Sequence, residues 1–154
     1  MAPSDSREGL RVVDLTTEQT YPIRLEVLRA DTPTKQVAFA EDDLPGARHL
    51  GVTDDGRLVA TSTWIVRPMA SQPDTAGVQL RGMATLQTHQ GRGIGALLVE
   101  VGCEHARSIG AELVWANARD AALAFYRTNG FEVVGDGFVD ETTRLPHHVV
   151  LRRL

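Results

Sequence analysis

Three sets of residues in this sequence have types and spacings that could do chemistry. The first is the run Gln90-Gly91-Arg92-Gly93-Ile94-Gly95-Ala96, three glycines in five positions followed at once by an apolar stretch. A glycine inside a helix costs roughly 1 kcal/mol relative to alanine, so three at a helix mouth call for a reason. Close approach of an anion supplies one. The first N–H groups of a helix and its positive dipole end attract negative charge, and glycine removes the Cβ that would stand in the way. Arg92 would add a permanent positive charge. The second set is Phe125-Tyr126. A phenol with an ordinary pKa near ~10 stays protonated at neutral pH and can give its proton to a leaving group. The third is a scatter of candidate bases: Glu26, the trio Glu41-Asp42-Asp43, His49, Asp140, Glu141, His147 and His148.

Each set also has a plainer reading. The glycines could merely open a buried helix, and Tyr126 could be a core aromatic. The candidate bases read individually as solvated surface groups. The acidic trio reads first as a charged, solvated loop, with attraction of a cationic amine as the sharper alternative. His147 and His148, being adjacent, would point to opposite faces of a strand, so only one could face a cleft.

Spacing excludes several chemistries. A phosphate-binding P-loop requires a lysine after its last glycine, and none is present. Gly91, Gly93 and Ala96 do match G-x-G-x-x-A of dinucleotide folds. However, four residues (87–90) separate that match from the preceding strand where a tight turn is required. No serine sits in G-x-S-x-G. One cysteine and scattered histidines make no metal site, and Cys103, inside a helical pattern, reads as packed rather than nucleophilic.

The elements that must position these residues follow from periodicity and turn signals. Residues 10–16 read as a strand, and Tyr21, Leu25 and Leu28 as the apolar stripe of a first helix with Pro22 near its start. Residues 32–46 are loop-like. Two apolar strands flank Asp54-Asp55-Gly56, a hairpin signal. A two-proline loop leads to a fourth strand over 78–86. The helix after the glycines carries Ile94, Leu97, Leu98, Val101 and His105 on one face and stops near Gly110. Residues 113–117 read as a strand covered on both faces, followed by a short helix closed by Asn129-Gly130 and two further strands. The order is β α β β β α β α β β. Its strand–helix–strand step around the glycines demands a parallel pair.

"QGRGIGA", after a strand and at a helix start, resembles the pyrophosphate-binding motif Q/R-x-x-G-x-G/A of the GNAT N-acetyltransferase superfamily. "LVWANARDAALAFYRTNGFEVVG" is similar to that family's fifth strand and fourth helix, and the likeness runs from about Leu10 to Leu154. The resemblance implies one domain over residues 1–154 with a mixed α/β fold. Its sheet is mostly antiparallel, with a splayed parallel pair of strands four and five and helices on both faces. It implies transfer of an acetyl group from acetyl-CoA to a primary amine of a small molecule or peptide. It places the pyrophosphate on Gln90, Gly91, Arg92, Gly93, Ile94, Gly95 and Ala96. Of these glycines, Gly93 and Gly95 hold the motif's defined positions and Gly91 a variable one. The cofactor arm falls on Met83, Ala84, Thr85 and Asn117, and Tyr126 becomes the general acid. No residue is singled out as the base.

Composition agrees with a globular chain: 42% of residues are apolar and 23% charged, in a chain of 154 residues. A net charge of −4 without a basic tract argues against nucleic acid. No apolar run reaches the ~18 residues of a membrane span. The N-terminus lacks the pattern of a signal peptide, and the single cysteine suits a reducing cytoplasm. Fifteen of sixteen basic side chains are arginine, a bias that reads as coding preference without functional weight. The final strands could mediate a homodimer, though nothing in them demands one. Two rival functions remain: a catalytically silent acyl-CoA-binding module and a nicotinamide-dinucleotide enzyme.

Overall fold

The computed structural model describes residues 8–154. Most of the N-terminal stretch that bears on targeting, residues 1–7, lies outside them. One seven-stranded sheet organises the fold. Its strands are β1 (Leu10–Leu15), β2 (Arg48–Asp54), β3 (Arg57–Val66), β4 (Gly77–Thr85), β5 (Leu113–Arg119), β6 (Glu132–Val139) and β7 (Pro146–Arg153). They lie in the order β1-β2-β3-β4-β5-β7-β6. All neighbours are antiparallel except β4 and β5, which run parallel. The β2–β3 hairpin turns on Asp55 and Gly56, with φ of 49° and 86°. Two left-handed residues in succession match the right-handed twist of a hairpin.

Helices cover both faces. α2 (Ile94–Ser108) packs against Trp64, while the first helical segment reaches Thr63, the next residue of the same strand, through Arg24. Adjacent strand residues point to opposite faces, so the two helices lie on opposite sides. The buried side of α2 is Ile94, Leu98, Val99, Gly102, Cys103 and Ala106, turned slightly from the expected stripe of Ile94, Leu97, Leu98, Val101 and His105. The cause is Trp64. An added Cβ on Gly102 would lie 1.9 Å from the indole, so the ring occupies the place where a side chain would sit. Cys103 is packed, and burial pushes its thiol pKa up.

The first helical segment is not one regular helix. It is a 3₁₀ turn (Glu18–Thr20), an α turn, α1 (Tyr21–Ile23), and a π turn (Arg24–Leu28). Changing pitch moves the buried face off the α-period stripe: Leu25 is 47% exposed, while Ile23 and Arg24 are buried. The short helix α3 (Leu123–Thr128), preceded by a 3₁₀ turn (Asp120–Ala122), lies against the start of α2. An added Cβ on Gly95 would come 2.8 Å from the Phe125 ring. No helix among the described residues is long and apolar enough to cross a membrane.

Candidate active site

Pairing between β4 and β5 covers only Gly77–Leu113, Val78–Val114 and Gln79–Trp115. Beyond those residues each strand keeps its outer neighbour, β3 or β7, and the two diverge. A bulge sharpens the opening. Thr61 and Thr63 of β3 stand opposite Ala84 and Arg81, so one residue of β3 faces two of β4, Gly82 and Met83. Gly82 has φ +60°, and a Cβ there would meet the Phe39 ring at 2.9 Å. Only glycine fits both the backbone and the neighbour.

The divergence opens a cleft of about 480 Å³. Arg29, Phe39 and Glu41 wall it from the long loop, and Gln79, Arg81 and Met83 from β4. Asn117 and Arg119 come from β5, Tyr126 from α3, and Asp140 and His147 from the last hairpin. Met83, Asn117 and Tyr126 therefore share one cavity. Ala84 is buried beside it, Thr85 ends β4, and residues 90–96 lie outside its walls, at the mouth of α2.

At that mouth Gly91 and Gly93 both adopt left-handed backbone, with φ of 80° and 78°. Gly93 is the N-cap of α2, and no side chain caps the helix. The Gln90 amide donates to the Thr85 carbonyl at 3.1 Å, tying the loop to the end of β4. Arg92 is engaged by Asp54 at 3.2 Å, so its charge is partly shared with a carboxylate. The hydrogen bonds from His89 and Arg92 hold the Asp54 carboxyl below the usual range.

Tyr126 is clamped edge-on between Phe125 and Phe131, with ring centroids 5.3 and 5.2 Å away. Burial pushes its pKa up to about 12, because an isolated phenolate is disfavoured away from water.

The structure sorts the candidate bases. Glu26 and Glu141 are exposed, outside the cleft. In the acidic trio, Glu41 and Asp42 are ion-paired rather than solvated, and Asp43 is exposed. Asp42 is buried and accepts both Arg24 Nη atoms at 2.8 and 2.9 Å. Glu41 pairs with Arg81 at 2.6 Å and Arg67 at 3.3 Å. Asp43 accepts the Thr17 hydroxyl. His49 is buried against Thr63 and Thr17. His148 turns away to Asp120, 2.6 Å distant. His147 is buried and lines the cleft, as alternation along β7 requires. Its Nδ1 lies 2.9 Å from the Leu145 carbonyl. A carbonyl only accepts, so that contact assigns the ring hydrogen to Nδ1 and leaves Nε2 its lone pair when neutral. Asp140 accepts the Thr142 and Thr143 N–H groups; burial raises its pKa, but the hydrogen bonds from Thr143, the neighbouring His147 and the Thr142 N–H together hold it down.

Nothing in the sequence pattern singles out Phe39, which stacks beneath Arg24 at 3.9 Å and Arg81 at 4.3 Å from its ring centroid. Nor does it single out Arg29, Arg81 or Arg119.

A splayed parallel pair, a glycine-opened helix at one end and a buried tyrosine in the wall of the gap make up the frame of an acetyltransferase-like fold. A model of the acetyltransferase (GNAT) family matches residues 12–131, and the chain belongs to that family. It is 29% identical over 142 residues to the uncharacterized N-acetyltransferase YitI of Bacillus subtilis, covering 92% of this chain and 94% of that one. The fold is shared with ElaA of Escherichia coli (TM-score 0.74, 18% identity, 93% of this chain and 99% of that). It is shared as well with a putative N-acetyltransferase from Lactobacillus plantarum (TM-score 0.76, 16% identity, 95% and 99%).

Proposed function

We propose that this chain is an N-acyltransferase moving an acetyl group from acetyl-CoA to a primary amine of a small molecule. The observation that carries the reading is the gap between β4 and β5, with the glycine loop at its end and Tyr126 in its wall. Acetyl-CoA supplies the activated thioester. Residues 90–96 receive its pyrophosphate at the uncapped α2 terminus. Met83, Ala84 and Thr85 present backbone to the pantetheine arm, with the Ala84 or Thr85 N–H nearest the thioester oxygen, and Asn117 bonds the arm from β5. Tyr126 gives its proton to the departing thiolate. Among the cleft-lining candidates, His147 is the base. Glu41 is committed to two guanidiniums and Asp140 to two backbone N–H groups, whereas His147 offers a lone pair.

The rival dinucleotide reading is disfavoured by the sheet. A run of parallel strands is needed there, and among the described residues only one parallel pair is present. The silent-binder reading differs in chemistry alone, and two variants separate it. Tyr126→Phe should lower kcat by 10²–10⁴-fold, the usual weight of a general acid, while acetyl-CoA affinity by calorimetry changes little. His147→Gln should lower kcat/KM for the amine while acetyl-CoA affinity stays close to wild type, because the variant removes the lone pair that faces the cleft and leaves the glycine loop intact. Unchanged kcat for Tyr126→Phe at saturating acetyl-CoA would remove that role.

A further inference from the structure

We infer that the acceptor amine carries a carboxylate, which Arg29 and Arg119 receive in the wall of the cleft. The amine half of this statement rests on the proposed transferase reading; the anion site stands on its own geometry. Arg29 follows the π turn and is 7% exposed, and Arg119 ends β5. Both line the cleft that holds Tyr126 and His147. Their guanidiniums converge on one oxygen. The Leu28 carbonyl accepts Arg29 Nη1 at 3.3 Å and Arg119 Nη2 at 2.5 Å. Arg29 Nε donates to the Gln36 carbonyl at 2.8 Å. Among the described residues neither arginine forms an ion pair, whereas Arg24, Arg67 and Arg81 all do.

A buried cation hydrogen-bonded to neutral carbonyls, 5.9 Å from the Phe39 ring centroid and with a second cation beside it, is costly until an anion joins them. Burial, and then the charges of Arg119, Arg24 and Arg81, push the Arg29 pKa down. Asp140 is the cleft carboxylate that favours its charged form, and Asp140 already accepts two backbone N–H groups. Against Arg29 and Arg119, Asp140 leaves one positive charge in excess. That suits a planar monoanion taken by guanidinium forks better than a phosphate carrying about −1.5 to −2. With the carboxylate at the arginines, the amine of the same molecule lies in the cavity that also holds His147 and Tyr126.

The test uses the common amino acids, each beside its carboxamide, and phosphoethanolamine beside ethanolamine. Thiol release from acetyl-CoA and direct binding by calorimetry are both read. The accepted acids should exceed their amides at least tenfold in kcat/KM and in affinity. Arg119→Gln and Arg29→Gln should erase that preference without weakening acetyl-CoA binding, and Arg119→Lys should restore part of it. Thermal melts of each variant report folding, and the half-buried Arg119 keeps the test open if Arg29→Gln unfolds. Amides used as well as acids, equal losses on both, preference for phosphoethanolamine, or no binding of any acid would each overturn the inference. Acids that bind through the arginines without thiol release would instead overturn the transferase reading and leave the anion site standing.

Discussion

Tyr126 is a buried phenol in the wall of the cleft, and the role proposed for it depends on keeping its proton. Its pKa of about 12 in the folded chain exceeds the ~10 of an exposed phenol. The folded state therefore holds this proton more tightly than the unfolded chain does. The resulting stability is fully present below about pH 10 and is lost as pH rises through about 12. At about 1.4 kcal/mol per pH unit, the loss is on the order of 3 kcal/mol. Denaturant melts at pH 8 and at the alkaline end should show wild type losing more stability than Tyr126→Phe, and parallel losses would show that Tyr126 is not desolvated as described. At this scale the sequence was informative where a residue type is rare in its role. Tyr126 in "AFYRTNGF" and the glycines of "QGRGIGA" stood out. Arg29 and Arg119 did not, because an arginine beside a strand or helix end is ordinary until its neighbours are known. Glu41 and Asp42 were hidden for the same reason: Arg24, Arg67 and Arg81, which pair with them, are up to 40 positions away in the chain.

Elements were read from the sequence more reliably than their faces. The strands, the glycine-opened helix and the hairpin at Asp55-Gly56 follow from period and turn chemistry, which are local. The orientation of α2 depends on Trp64, a residue of another strand, and periodicity alone could not supply it. Gly102→Ala measures that dependence. Alanine gains about 1 kcal/mol of helix propensity, but its Cβ would stand 1.9 Å from a fully buried indole. Overpacking of this kind costs typically 1–3 kcal/mol and more when the obstacle cannot move. The clash should win, lowering the melting temperature by several degrees at the ~2–4 °C per kcal/mol of a chain this size. A melting temperature equal to or above wild type would mean that α2 does not approach β3 so closely. The first helical segment failed the α-period because its last turn is a π turn, and no residue there announces the change of pitch.

Across the whole molecule, one topological fact organises the rest. Three antiparallel strand pairs lead up to β4, and a single parallel step to β5 creates the gap in which every proposed catalytic group meets. The order of elements was readable in the sequence; the bulge at Gly82-Met83 that helps open the gap was not. The chain carries a net charge of −4, yet its cleft presents arginines, so overall charge is a poor guide to the ligand of one site. Thiol release from acetyl-CoA by the wild-type chain across an amine panel is the most direct measurement of the activity proposed for that gap. Amine-dependent release, well above the rate with acetyl-CoA alone and abolished or sharply reduced by Tyr126→Phe, is the expected result. Tight acetyl-CoA binding with no amine-dependent release would contradict it and leave a binding module in place of an enzyme.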